Sequence, residues 1–215
     1  MRSLLIIISL VAVVCSAPIA QAKEKRDPKE RAAKINALVE KLVLVELPAG
    51  ASTEAKHAHN REMLKAWMAL SDFGVEAFPA AIEHLQDKRT SFTEDSGSTD
   101  ETWTVGRACF DVLYCNLEPY NWGMYSSSIP PEKYWWRPQY CNEFLNTPKK
   151  AREWLAAHKS KSLVDLQIEV LEWITTHRSE RKVEISAEDH QKLLDRLVTL
   201  KKTHKPLEPA VPWSK

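Results

Sequence analysis

The sequence predicts an all-α fold: a short array of antiparallel helix pairs, about seven helices in all, with one long irregular aromatic loop. Three observations carry that expectation. Apolar residues recur at i, i+3, i+4 and i+7 in most segments, the spacing of one helix face. Helix-start signals, a capping side chain followed by proline or by an acidic residue in the first turn, precede several of those segments. Only five glycines occur in 215 residues, too few for the turns of an all-β chain.

The chain opens on a segment that reads as a targeting signal. Met1-Arg2 is a short basic region, Ser3 to Val14 is apolar, and Ala20-Gln21-Ala22 is an A-x-A cleavage site. The apolar run is short for a membrane span. Cys15 would suit a lipoprotein, but Val14 stands where a small residue is wanted before a lipidated cysteine. Cleavage after Ala22 is expected, with an uncleaved anchor as the alternative. On that reading residues 1–22 are a signal peptide, 23–205 one helical domain and 206–215 a Pro-rich C-terminal tail. The mature chain is then exported, to the periplasm or outside the cell, and carries no membrane span. Removing Arg2 from the 30 basic residues leaves 29 against 29 acidic ones. That balance offers no electrostatic footprint for nucleic acid or for an anionic membrane.

The first helix is signalled at Asp27-Pro28, an N-cap and a proline at the first helical position. Ile35, Leu38, Leu42 and Val45 line one face, and Pro48-Ala49-Gly50 ends it. Ser52 or Thr53 caps a second helix whose buried face holds Met63, Trp67 and Leu70. Gly74 is suited to end it with positive φ. The next helix carries Phe78, Ala81, Ile82 and Leu85, with Pro79 in its first turn, where a missing N–H costs little. Two helices joined by so short a break are expected to lie antiparallel and to bury their apolar faces on each other.

Leu70, Phe73, Gly74, Ala77, Pro79, Ala80, Ile82, Leu85, Asp87 and Arg89 stand at the spacing of an inter-helix turn and second helix. Val105, Ala108, Val112 and Leu113 follow as the start of another unit. These residues resemble a HEAT-like helical repeat. The resemblance spans about a quarter of the chain and implies an architecture of stacked helix pairs, which commonly bind protein partners. The polar insert Thr90 to Glu101 interrupts the short connection expected of such a repeat, and no second clear copy follows. The arrangement also resembles exported bacterial proteins of this type, a likeness that implies no activity.

The insert is acidic and turn-rich and lacks the carboxylate spacing of a calcium loop, so a solvated loop is expected. From Leu117 to Asn146 the helical period fails at Pro119, Gly123, Pro130, Pro131 and Pro138. The same stretch holds Tyr120, Trp122, Tyr125, Tyr134, Trp135, Trp136 and Tyr140. A loop of that length either packs down or works. Regular structure returns at Thr147-Pro148, at Ser162 with Asp165 as a capping box, and at Ser186. Val183-Glu184-Ile185 reads as an extended link, and Pro206, Pro209 and Pro212 make the tail non-helical and free.

Three cysteines follow the signal: Cys109, Cys115 and Cys141. Cys109 shares the apolar stripe of its helix and is expected as a buried, inert thiol. Cys115 lies about 80° off that stripe at roughly 100° per residue. An exported chain favours oxidation, so a Cys115–Cys141 bridge closing the aromatic loop is expected, with a stabilisation of about 3 kcal/mol. Three free thiols is the alternative.

No motif specifies catalysis. His57 and His59 would point about 160° apart on a helix, and with Glu62 they make no metal site. Glu118, Glu132 and Glu143 lie in or beside the aromatic loop, but their spacing selects no glycosidase pair. A cysteine nucleophile would need a histidine brought to it by the fold. No cofactor is implied. The candidate binding surface is Trp122, Tyr134, Trp135 and Trp136, rings that either anchor a protein or sugar or cover an open edge of the helical layer. The expected role is a non-catalytic scaffold or protein-interaction module. A carbohydrate binder or hydrolase using residues 118–146 is the second reading.

Overall fold

In the computed structural model, which describes residues 27–44, 52–93, 102–118, 140–177 and 187–208, helices begin where a side chain can cap them. Asp27 accepts from the Lys29 N–H at 2.9 Å and starts α1 (Pro28–Glu40). Ser52 accepts from Ala55 N–H at 3.3 Å and starts α2 (Thr53–Ser71). A 3-10 turn at Gly74–Glu76 leads to α3 (Phe78–Glu83), with Gly74 at φ 55° as the sequence predicts. Strands β1 (Thr90–Thr93) and β2 (Thr102–Thr104) form an antiparallel pair with an irregular register between Thr90 and Thr93. Thr104 caps α4 (Val105–Leu117) through the Arg107 N–H. Then come α5 (Tyr140–Phe144) and α6 (Pro148–His158), the latter capped by Thr147. Next is α7 (Leu163–Thr176), opened by the full Ser162/Asp165 capping box, and last α8 (Ala187–Thr203). Each cap satisfies an N–H that the helix cannot pair internally.

Eight α-helices therefore dominate the described residues, with one short hairpin. The hairpin corrects the sequence reading, in which Thr90 to Glu101 was wholly loop. It also explains why α1 stops at Glu40 and does not run on to Val45. The Ser91 hydroxyl donates to Leu42 O at 2.6 Å and Leu44 N–H donates to Thr90 O at 2.7 Å. The chain at 42–44 is thus drawn onto β1 and away from the helical path. At the described ends of the segment 117–146, α4 holds to Leu117 and α5 forms at Tyr140.

Helix α4 is the centre. It packs against α2, α3, α5, α7 and the hairpin, and every residue from Asp111 to Leu117 is buried. In its first turns Arg107 stays exposed, so only the second half of α4 is covered on all sides. Trp67 of α2 is almost wholly buried against it, and its indole N–H donates to Ala108 O at 3.2 Å. Burial of each such large side chain is worth about 1.5–3 kcal/mol. Gly106 lets α4 approach the end of α3, since a Cβ there would lie 2.5 Å from the Leu85 carbonyl oxygen. Val105 N–H and Gly106 N–H donate to Arg89 O and Asp87 O, both at 2.9 Å, and fix that approach.

Cys109 is the buried free thiol that its helix stripe predicts. Cys115 and Cys141 are buried free thiols as well, so the expected Cys115–Cys141 bridge is not formed. Loop closure is supplied instead by Glu118, whose Oε1 accepts the Cys141 backbone N–H at 2.9 Å. The tail differs as well. Leu207 is packed on the core and both its backbone groups are held by Gln167, so the chain is docked at least to that residue.

Candidate functional site

Trp122, Tyr134, Trp135 and Trp136, the rings that the sequence nominates for binding, lie outside the described residues, as do Glu132, the 183–185 link and the signal segment. Neighbours of that stretch are within them. Tyr140 is buried, in contact with Phe144, Trp154 and Trp173 at ring-centroid distances of 4.6, 6.4 and 5.5 Å. Glu118 is only 1% exposed, and its Oε1 accepts the Cys141 backbone N–H.

A groove of about 640 Å³ is built on α3. Both α1 and α6 pack against α3, so they form the walls and α3 the floor. Pro79 and Ala80, in the first turn of α3, lie on the floor. Ile35 and Ala32 come from α1 and Leu155 from α6.

Charged residues rim the groove in pairs. Arg31 of α1 donates to Glu76 at 2.7 Å. Arg152 of α6 forms a two-pronged pair with Glu83 of α3, at 2.8 and 2.6 Å. The Arg152 hydrogen bonds hold the Glu83 carboxyl below its usual range, and Glu83 in turn raises the guanidinium. His84 closes one end, with Nδ1 3.1 Å from Asp87. Asp87 is also bound by Arg89, which holds its carboxyl well below the usual range and links onward to Glu40 of α1. Each of these charges therefore has a partner within the chain. The groove offers apolar contact without an uncompensated charge.

A second cluster joins α5, α6 and α7. The Glu169 carboxylate accepts from Tyr140 Oη at 2.9 Å, lies 2.8 Å from His158 Nε2, and pairs with Lys161. Trp154 Nε1–H donates to the Tyr140 hydroxyl at 2.7 Å. His158 stacks on Trp154 at 4.6 Å, and its Nδ1 meets the Trp154 carbonyl at 2.7 Å. The same device recurs one helix later, where His177 stacks on Trp173 at 4.8 Å with Nδ1 2.9 Å from its carbonyl. Sequence reasoning missed both. The detectable signal was Trp-x-x-x-His twice, since i and i+4 share a helix face. A carboxylate holding three donors is a structural hub that ties α5, α6 and the 158–161 turn to α7.

Burial also silences the thiols. It pushes Cys109 up to about 12 and Cys141 well above the ordinary thiol range, so thiolate chemistry is disfavoured. Among the described residues, no group of three His, Cys, Asp or Glu is placed to hold a metal ion, and no helix is long and apolar enough to cross a membrane. No protein-family model, curated protein or solved structure matches this chain.

Proposed function

We propose that the chain is an exported, non-catalytic helical scaffold, its helices forming a short HEAT-like array of antiparallel pairs. It engages the apolar stripe of a partner protein's helix in the groove between α1 and α6. The observation that carries this reading is the composition of the groove: a floor of Pro79, Ala80 and Ile82 between two rims whose charges are already neutralised. An occupant gains apolar burial there and need not strip water from a lone charge. A helix laid across two walls and a floor is the packing such a layer takes with its next member. The groove alone is small for a permanent interface, which fits a reversible contact.

A carbohydrate binder or hydrolase using residues 118–146 is the second reading. The test uses a photo-crosslinking residue at Ala32, with the chain expressed in its exporting cell. A discrete adduct to one protein is expected, lost when Ala80→Trp fills the floor and kept when exposed Val198 is changed to Trp. An Ala80→Trp chain that crosslinks unchanged defeats the groove. Peptide sequencing of the exported form should begin at Lys23, and a chain retaining residues 1–22 would contradict export with cleavage.

A further inference from the structure

The C-terminal arm is held by a device that reads backbone, and it leaves its helix through a strained turn. Helix α8 ends when His204, at φ 50°, takes a left-handed conformation that favours glycine. Its N–H still reaches Leu200 O at 2.8 Å, closing the helix. Pro206 then keeps the preceding Lys205 out of the helical region, and the arm crosses to α7. There Gln167, fully buried, accepts the Leu207 N–H at 2.8 Å and donates to the Leu207 carbonyl at 3.1 Å. The same amide nitrogen donates to Asn116 O of α4 at 2.7 Å. The backbone N–H and C=O of one residue are thus both paired by one side chain, whichever chain supplies that backbone.

We propose that this arm is exchangeable, and that two copies of the chain form a dimer in which residues 205–208 of each occupy the Gln167 seat of the other. The seat contacts are the same in the closed monomer and the exchanged dimer, so they cancel. What differs is the hinge, relieved of its turn but losing the exposed His204–Asp165 pair at 3.7 Å, against the entropy of association. A right-handed His204 adds one residue to α8, relieves the turn, and carries the arm off its own body. Strained hinges invite this exchange. The partner is specified by the arm itself: an extended segment with a leucine whose backbone is presented behind a proline.

Native mass spectrometry of the full chain over a concentration series tests this, with circular dichroism to confirm folding. The wild type should shift from monomer to dimer as concentration rises. His204→Gly accepts the turn without strain and should weaken the dimer roughly ten-fold. His204→Ala favours the continued helix and should strengthen it. Adding Gln167→Leu to His204→Ala should return the chain to monomer. A wild type and a folded His204→Ala that both stay monomeric throughout, or a dimer indifferent to Gln167→Leu, overturns the proposal. Should His204→Ala not fold, equal behaviour of the wild type and His204→Gly overturns it.

Discussion

Glu118 Oε1 lies 2.9 Å from the backbone nitrogen of Cys141, 23 residues further along the chain, and accepts its hydrogen. The residue that ends α4 thereby supplies a capping carboxylate to the first turn of α5. Both partners are buried, so this one bond closes the base of the aromatic segment that cysteine spacing would assign to a disulfide.

Replacing Glu118 with Ala leaves the Cys141 N–H buried without an acceptor and should cost roughly 1–3 kcal/mol in urea unfolding. Glu118→Gln keeps an acceptor oxygen and should lose less. In the same samples, alkylation without reductant should find Cys109, Cys115 and Cys141 unreactive while folded and all reactive in urea. Protection of Cys115 and Cys141 in urea would mean that sulfur closes the loop after all.

Gly106→Ala places a methyl group where 2.5 Å separates it from the Leu85 carbonyl oxygen. Backbone on both sides prevents relief by a rotamer change. A loss of about 1–3 kcal/mol or more is expected, read as a lower thermal midpoint. Gly97→Ala, in the acidic insert, serves as the reference substitution.

Asp111 sits in α4, 6% exposed, with Arg107 at 3.3 Å. Burial raises its carboxyl from 3.8 to about 6, against the pull of Arg107. The folded state therefore holds the proton more tightly than the unfolded state. Stability is highest below 3.8 and declines as pH rises through about 6. Asp111→Asn should be more stable than wild type by roughly 1–3 kcal/mol at pH 8 and equal to it near pH 3. Urea midpoints at the two pH values check the sign.

Glu169 titrates in the opposite sense. Burial pushes its carboxyl up, but hydrogen bonds from Lys161, Tyr140 and His158 outweigh that and leave it below the ordinary 4.5. Its stabilisation is complete above 4.5 and disappears as pH falls through the lowered value. Glu169→Ala should cost roughly 1–3 kcal/mol at pH 7. The gap between wild type and variant should close in acid. A gap that persists at pH 2.5 would show that Glu169 acts through packing and not through charge.

Helix starts were legible residue by residue, because a cap is a local bond. Asp27, Ser52, Thr147 and Ser162 each accept an N–H two or three positions on, and sequence order alone brings the two together. The Pro79 and Gly74 positions were legible for the same reason. The groove was not, because Arg31 meets Glu76 across 45 residues and Arg152 meets Glu83 across 69. The helical period shows that Ile35, Ala80 and Leu155 belong to helices, but not that three helices turn them toward one space.

The sequence by itself determined the helical class, the caps of α1, α2, α6 and α7 and the buried faces of α2 and α3, since these follow from periods and spacings of a few residues. Only the tertiary structure decided where α1 would stop, because Leu42 and Leu44 surrender their backbone groups to a hairpin some fifty residues away. It likewise decided that Glu118, and not a sulfur, closes onto Cys141, and that Gln167 seats the backbone of Leu207. Each of these is a hydrogen bond made in a dry interior between groups far apart in the chain. Its worth depends on the exclusion of water, which no local pattern of residues specifies.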